Sequence, residues 1–506
     1  MIRIKVGESI YHYNTELEHY FSKIKNHIIG NNLTFSTPYG TKKLLYADWT
    51  ASGRLYKTIE EKITHKLGPY VANTHTESNI TGTYMTKAYK EAKRIIKKHV
   101  HAGENDIILF DGFGMTAVVN KLQRIIGLKN SCAKKEKIAV VFVTHMEHHS
   151  NYLSWLETNA DVIMVKPNKK GDVDIDHLES LLVEYKDIPL KIGAFTACSN
   201  VTGRKTNYHV LAKIMHKHKG YCFVDFAASA PYVSINMHPA NKEERLDAIY
   251  FSPHKFLGGP GTSGVLVMAK ELIYSSIPDH PGGGTVDFTN EWGDILYKKD
   301  DEEREDGGTP GFLQAIKSAL CIQLKEEMGV ERIEQREKEL VHLAITELKK
   351  LNKVRILEEE NEDRLGIISI ICEDIHYDLV VKLLNDRFGI QVRGGCSCAG
   401  PYGHYLLPIT HKQSKELSKE IQDGDFSHKP GWVRISLHPT MSNEDVYYIV
   451  AAIKKIIIYQ EEWKRDYVTK PSSCEYQSVK RNEMDLKDLF TFIKFNLKLV
   501  KDGINS

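Results

Sequence analysis

Apolar positions along the chain follow two spacings. Short apolar runs of strand length recur at 106–110, 137–144, 161–165, 191–196, 220–225, 248–251 and 263–268. Between most of them apolar residues return every three to four positions, which predicts helices at 85–99, 115–126 and 210–218. Seven strands alternating with amphipathic helices predict an α/β fold: a large domain on a mainly parallel, mixed sheet with helices on both faces. Ligands of such sheets bind beyond the carboxyl ends of the strands, and the chemistry-bearing residues of this chain cluster just after its strands.

A connection rich in Gly and acidic residues follows between 278 and 310, and then a long helix over 312–352 with a break near Gly329. Beyond it, strands at 354–358, 365–372, 390–393 and 432–437 surround helices at 377–387 and 443–462, the pattern of a smaller α+β domain. The chain thus divides into an N-terminal arm (1–43, with a helix at 14–28, contributing to the small domain), a large domain (44–310), a small domain (311–464) and a lysine-rich extension (465–506) with a helix at 484–500. No internal repeat is present.

Composition narrows the class. At 506 residues, 42% apolar, 26% charged and a net charge of +2, the chain reads as a globular protein of two domains. It lacks the basic excess of a nucleic-acid binder, and no stretch approaches the ~20 apolar residues that span a bilayer. The start, Met1-Ile2-Arg3-Ile4-Lys5, has no apolar signal core. Eight scattered cysteines form no disulfide framework, so the expected compartment is reducing, with the cytoplasm as default.

The chemistry concentrates around Lys255. Tyr250-Phe251-Ser252-Pro253-His254-Lys255 puts hydroxyl, imidazole and amine close together, ahead of the glycine-rich run 258–264, and Asp225 ends the upstream apolar run 221–224. An amine nucleophile, short phosphate donors and an acid at a strand end are the parts needed to hold pyridoxal phosphate: the lysine forms a Schiff base with the aldehyde and the acid keeps the pyridine nitrogen protonated. Asp111-Gly112-Phe113-Gly114-Met115-Thr116 follows a strand and opens a helix, where free backbone N–H groups receive a phosphate. In Glu147-His148-His149, adjacent rings diverge and no ligand pattern at zinc spacing accompanies them, so an imidazole stacked on the cofactor ring is the more economical reading. Asn200 is either a turn residue or a donor to the cofactor's phenolic oxygen.

With these residues in view, the chain resembles the class V aminotransferase superfamily of pyridoxal-phosphate fold type I, nearest its cysteine desulfurase and selenocysteine lyase branch. The resemblance spans roughly 44–460 and rests on Tyr46-Ala47-Asp48-Trp49-Thr50-Ala51-Ser52, Gly114-Met115-Thr116, Glu147-His148-His149, Asn200, Val224-Asp225, Ser252-Pro253-His254-Lys255, Gly282-Gly283-Gly284 and Gly308-Thr309-Pro310. It implies Lys255 as the covalent anchor, Asp225 on the pyridine nitrogen and His148 on the ring face. Gly114, the Met115 and Thr116 backbone, Ser252 and His254 fall to the phosphate, with Thr285 reaching it from the second subunit of a homodimer.

In Val392-Arg393-Gly394-Gly395-Cys396-Ser397-Cys398, Arg393 precedes Cys398 by the five positions that separate substrate arginine and catalytic cysteine in that branch, and Gly-Cys-x-Cys also looks like the desulfurase half of molybdenum cofactor sulfurases. The implied activity is conversion of L-cysteine to L-alanine with transfer of sulfur to an enzyme cysteine, then to a possible sulfur-acceptor protein. A guanidinium forks onto a carboxylate, and a thiol on a glycine-flexible loop reaches the substrate sulfur. Other readings stay open: a metal-binding or structural Cys-x-Cys pair, Cys396 as the reactive thiol, or a transaminase, epimerase or β-lyase of the same family acting on another amino acid. Two departures from the family pattern stand out. Trp49 is expected to place a bulky ring beside the substrate, and Ala228 replaces the glutamine that usually assists the phenolic oxygen. The charged insertion at 402–429 is expected to act as a longer cover.

Overall fold

A computed structural model describes residues 3–6, 9–12, 15–129, 138–361, 363–469 and 475–480. The seven apolar runs become β1 (Asp106–Asp111), β2 (Ala139–Thr144), β3 (Ala160–Val165), β4 (Leu190–Thr196), β5 (Tyr221–Asp225), β6 (Ala248–Phe251) and β7 (Gly264–Ala269), joined in one sheet of order β1-β7-β6-β5-β4-β2-β3. From β3 across to β6 neighbouring strands are parallel, and β7 is antiparallel to both β6 and β1. Strand pleating sends alternate side chains to opposite faces. Val140, Phe142, Val224 and Ile249 join the core on one face, whereas Val141, Val143, Phe223 and Ala248 join the core on the other. Both faces are covered, which is why these strands read as continuous apolar runs.

The long helical stretch is two helices, Phe312–Met328 and Val330–Leu348, broken at Gly329, whose φ of 79° lies in the left-handed region. A second sheet follows: β8 (Val354–Ile356), β9 (Ile367–Cys372), β10 (Arg393–Gly395) and β11 (Trp432–Ser436), all antiparallel in the order β8-β9-β11-β10. The single strand expected at 390–393 is a correction. Ile390–Gln391 pairs in parallel with Leu45–Tyr46, and the chain then changes partner at Val392 so that Arg393 joins β11. An extended run in sequence carries no record of which neighbour each residue pairs with. The 45–48 segment is held on its other side by β11, through Ser436 N–H to Ala47 O at 2.7 Å.

Helices His149–Leu156 and Ile175–Glu184 are additional to those the periodicity predicted. The charged insertion carries two helices, Gly400–Leu406 and His411–Gln422. The helix expected at 484–500 lies outside the described residues. Among the described residues no helix is long and apolar enough to cross a membrane.

Candidate active site

The carboxyl edge of the large sheet and the 393–398 segment close around one cavity of about 460 Å³. Five of the seven strands contribute residues at or beyond their carboxyl ends: Met115 and Thr116 after β1, His148 after β2, Asn200 after β4, Asp225 at the end of β5, Ser252, His254 and Lys255 after β6. Arg393, Cys396 and Cys398 reach the same cavity from the second sheet and the turn after it. Of the residues picked from sequence, only Thr285 is remote: it is buried and exchanges hydrogen bonds with Gly282, its Oγ1 donating to Gly282 O at 2.7 Å.

The floor is an acid and an amine. Burial pushes the Asp225 carboxyl up to about 6, against the Ala227 N–H that donates to Oδ1 at 2.7 Å and the charge of Lys255. Burial lowers the Lys255 ammonium to about 8, with Asp225 opposing and Arg434 reinforcing the shift. His148 is brought down to about 3 by burial and then by Lys255. Its Nδ1 accepts Ser150 N–H at 3.1 Å, so the ring is neutral and fixed. His254 falls to about 4, again through burial first.

At the opposite end, Ser252 Oγ accepts the Met115 N–H at 2.8 Å at the start of helix Met115–Ile125. A Cβ on Gly114 would stand 3.1 Å from that Oγ and 3.5 Å from the His254 ring, so glycine keeps this end open. A helix start, a serine hydroxyl and a neutral imidazole form an anion cradle. These residues fit pyridoxal phosphate: an amine for its aldehyde, an acid for its ring nitrogen, an imidazole for its ring face and the cradle for its phosphate. Among the described residues, no group of three or more His, Cys, Asp or Glu that could hold a metal ion gathers anywhere.

Two further charged residues, Asp48 and Arg434, organise the side of the cavity that Arg393 lines. Asp48 accepts from Arg393 (Nη2 at 2.9 Å, Nε at 3.1 Å) and from Arg434 (Nη2 at 3.0 Å). That hydrogen bond holds Arg393 firmly charged, whereas burial lowers Arg434. The signal for Arg434 was present in sequence: a guanidinium in the middle of the apolar run Trp432-Val433-Arg434-Ile435 needs a buried partner. Trp49 departs from expectation. Its ring stacks on His438 with centroids 4.0 Å apart and its Nε1 donates to Tyr46 O, while Thr50 and Ala51 line the cavity. Ala51 N–H donates to Asp48 O at 3.0 Å and closes a turn over 48–51, which leaves Thr50 and Ala51 on the cavity and the Trp49 ring against His438. Lys429, from the end of the insertion, lines the cavity as well.

The thiol loop is tied to the large sheet. Asn200 Nδ2 donates to Ser397 O at 2.7 Å, and His149 N–H donates to Cys398 O at 2.8 Å. The His149 Nε2 accepts Gly400 N–H at 2.9 Å. The amide expected at the phenolic oxygen thus has one of its hydrogens committed to this loop. Cys398 is exposed and Cys396 half-buried.

Known proteins resemble this chain in sequence and in fold. Residues 45–449 match the family model described as aminotransferase class-V. A probable cysteine desulfurase of Halalkalibacterium halodurans is 30% identical over 391 residues, 76% of this chain and 91% of that protein. One of Staphylococcus epidermidis is 29% identical over 374 residues, covering 72% and 85%. Among solved structures, the apo cysteine desulfurase of Thermococcus onnurineus superposes with a TM-score of 0.70 at 24% identity, covering 86% of this chain and 98% of that one. A cysteine desulfurase of Escherichia coli gives 0.67 at 20% identity, covering 87% and 98%.

Proposed function

Given that this chain belongs to the class-V aminotransferase family, we propose that it is a pyridoxal-phosphate-dependent cysteine desulfurase. The carrying observation is that Arg393 and Cys398, from the second sheet and its following turn, open onto the cavity floored by Asp225 and Lys255. The names of its relatives support the same substrate.

Lys255 would anchor the cofactor, Asp225 would serve its ring nitrogen, His148 its ring face, and Ser252, His254 and the start of helix Met115–Ile125 its phosphate. When bound, the cofactor supplies an electron sink that labilises the substrate Cα–H and Cβ–S bonds. Arg393 forks onto the substrate carboxylate and is itself aimed by Asp48, which Arg434 braces from the buried side. Lys255, lowered to about 8, has a neutral fraction at neutral pH, so its Nζ takes the α-proton and returns it. The Cys398 thiolate attacks the substrate sulfur. Cysteine and the Cys398 thiol become alanine and a Cys398 persulfide, with sulfur, protons and electrons in balance.

We extend the proposal to a homodimer that hands sulfur to an acceptor protein. The dimer is supported by the apolar side chains exposed on the hairpin Val286–Thr289/Ile295–Tyr297, with Trp292 80% exposed at its tip.

The test is a visible absorption spectrum of the purified protein before and after L-cysteine, with sulfide and alanine assayed in the same tube. A cofactor band, equal sulfide and alanine under reducing conditions, and their loss in Cys398→Ala are expected. A band with no alanine would refute the desulfurase reading in favour of another reaction of the family. No band would refute the cofactor.

A further inference from the structure

Ala399 N–H donates to Cys396 O at 3.1 Å and closes a four-residue turn whose central residues, Ser397 and Cys398, have φ of 52° and 57°. Two left-handed central residues are the mark of a type I′ turn, where Asn-Gly is the usual occupant. Left-handed non-glycine residues are strained and persist where the surroundings impose them. Here the surroundings are the Asn200, His149 and Gly400 hydrogen bonds that clamp the turn.

The strained turn carries two cysteines two positions apart. Residues two apart are separated by at most about 7 Å between Cα atoms, near the upper end of the roughly 4.4–6.8 Å that a disulfide spans, and a turn shortens this. Both thiols line the active-site cavity, Cys398 exposed at the front and Cys396 half-buried, packed against the core.

We propose that Cys396 is a resolving thiol that discharges Cys398 as hydrosulfide. The inference rests on the Cys398 persulfide argued above. The Cys396 thiolate attacks Sγ of the Cys398 persulfide; the Cys396–Cys398 S–S bond forms, the older S–S bond breaks, and its electron pair leaves with the outer sulfur as hydrosulfide. The outer sulfur is reduced by two electrons and the two cysteine thiols are oxidised by one each, so no outside oxidant is needed. Displacement is collinear. Attack on Sγ expels hydrosulfide outside the closing ring, whereas attack on the outer sulfur would need three sulfurs in line within one tight turn. A dithiol reductant then resets the pair, which ties each further turnover to reducing equivalents.

The experiment gives the cofactor-loaded full chain one equivalent of L-cysteine per subunit, without added reductant, and follows alanine, free sulfide and the intact mass of the peptide carrying 396–398. In the wild type we expect alanine and sulfide in equal amounts and a peptide lighter by two hydrogens. In Cys396→Ser we expect alanine as before, a peptide heavier by one sulfur, and free sulfide lowered at least tenfold. A wild-type peptide that keeps the extra sulfur with both cysteines unlinked overturns the proposal without using any variant. So does Cys396→Ser releasing sulfide like the wild type. Alanine absent from both proteins, or persisting in Cys398→Ala, would instead overturn the underlying desulfurase reading.

Discussion

Asp48 is the sharpest point at which to perturb the site. Asp48 is 8% exposed and is shared by two guanidiniums of unequal burial: Arg434 is 3% exposed, while about half of the Arg393 side chain is exposed. Asp48→Asn preserves shape and an acceptor and removes only the charge. Two unit charges about 4 Å apart attract by about 4 kcal/mol at an effective dielectric of ~20, and removing one member of a buried pair costs about 3–5 kcal/mol because the other is left uncompensated. The half-exposed Arg393 pair adds at most about 1 kcal/mol. The loss should therefore be about 3–5 kcal/mol and come almost wholly through Arg434. Denaturant titration at fixed cofactor concentration measures it, as a lowered midpoint with an unchanged slope. Arg434→Met and the double variant complete the cycle, and a coupling of at least about 2 kcal/mol is expected. Additivity within about 0.5 kcal/mol would refute the reasoning, since independent sites add to that tolerance.

Glu147 is fully buried under the site and accepts from Thr144, Asn151 and Thr196; burial lifts its carboxyl from 4.5 to about 7. A raised carboxyl binds its proton more tightly when folded, so its contribution is fully present below about 4.5 and lost as pH rises to about 7. The stability of Glu147→Gln relative to wild type should therefore rise by about 3 kcal/mol across that window, and a pH-independent difference would refute the assignment. His149→Leu removes the acceptor for Gly400 N–H and should lower kcat about fivefold, the worth of one net hydrogen bond, with the cofactor band unchanged. His149→Gln keeps an acceptor and should recover most of that loss; equal kcat in His149→Leu and wild type would discount the clamp. Lys255→Ala should abolish alanine formation and shift the visible band; turnover at the wild-type rate would remove Lys255 from the chemistry.

Legibility in the sequence tracked the range of the interaction. The strands of the large sheet were readable because burial on both faces makes them locally continuous in apolar residues, Val140-Val141-Phe142-Val143 being the clearest. That Lys255, Asp225 and His148 share one cavity was readable because each lies at or just beyond the end of such a strand. What the sequence hid depends on partners far along the chain. The split at Val392 needs to know that 45–46 pairs with 390–391, and the role of Asp48 needs Arg393 and Arg434 beside it. The Trp49 side was misread because the turn closed by Ala51 N–H on Asp48 O, which decides where these side chains point, leaves no periodic mark in the sequence. The short helix His149–Leu156 was hidden by its polar start, although His148 caps it.

The distance between Asp48 and Arg434 also has a meaning in time. They are 386 residues apart, and at about 5–20 residues per second a ribosome needs about 20–80 s to make the second after the first. Once β7 ends at Ala269 the large sheet has all its strands, while the Asp48 carboxylate still waits for both Arg393 and Arg434. Translation therefore completes the scaffold early and the amino-acid grip nearly last. A chain terminated between Ala269 and Arg434 would keep Asp225 and Lys255, the residues proposed to hold the cofactor, while lacking the buried brace of Asp48.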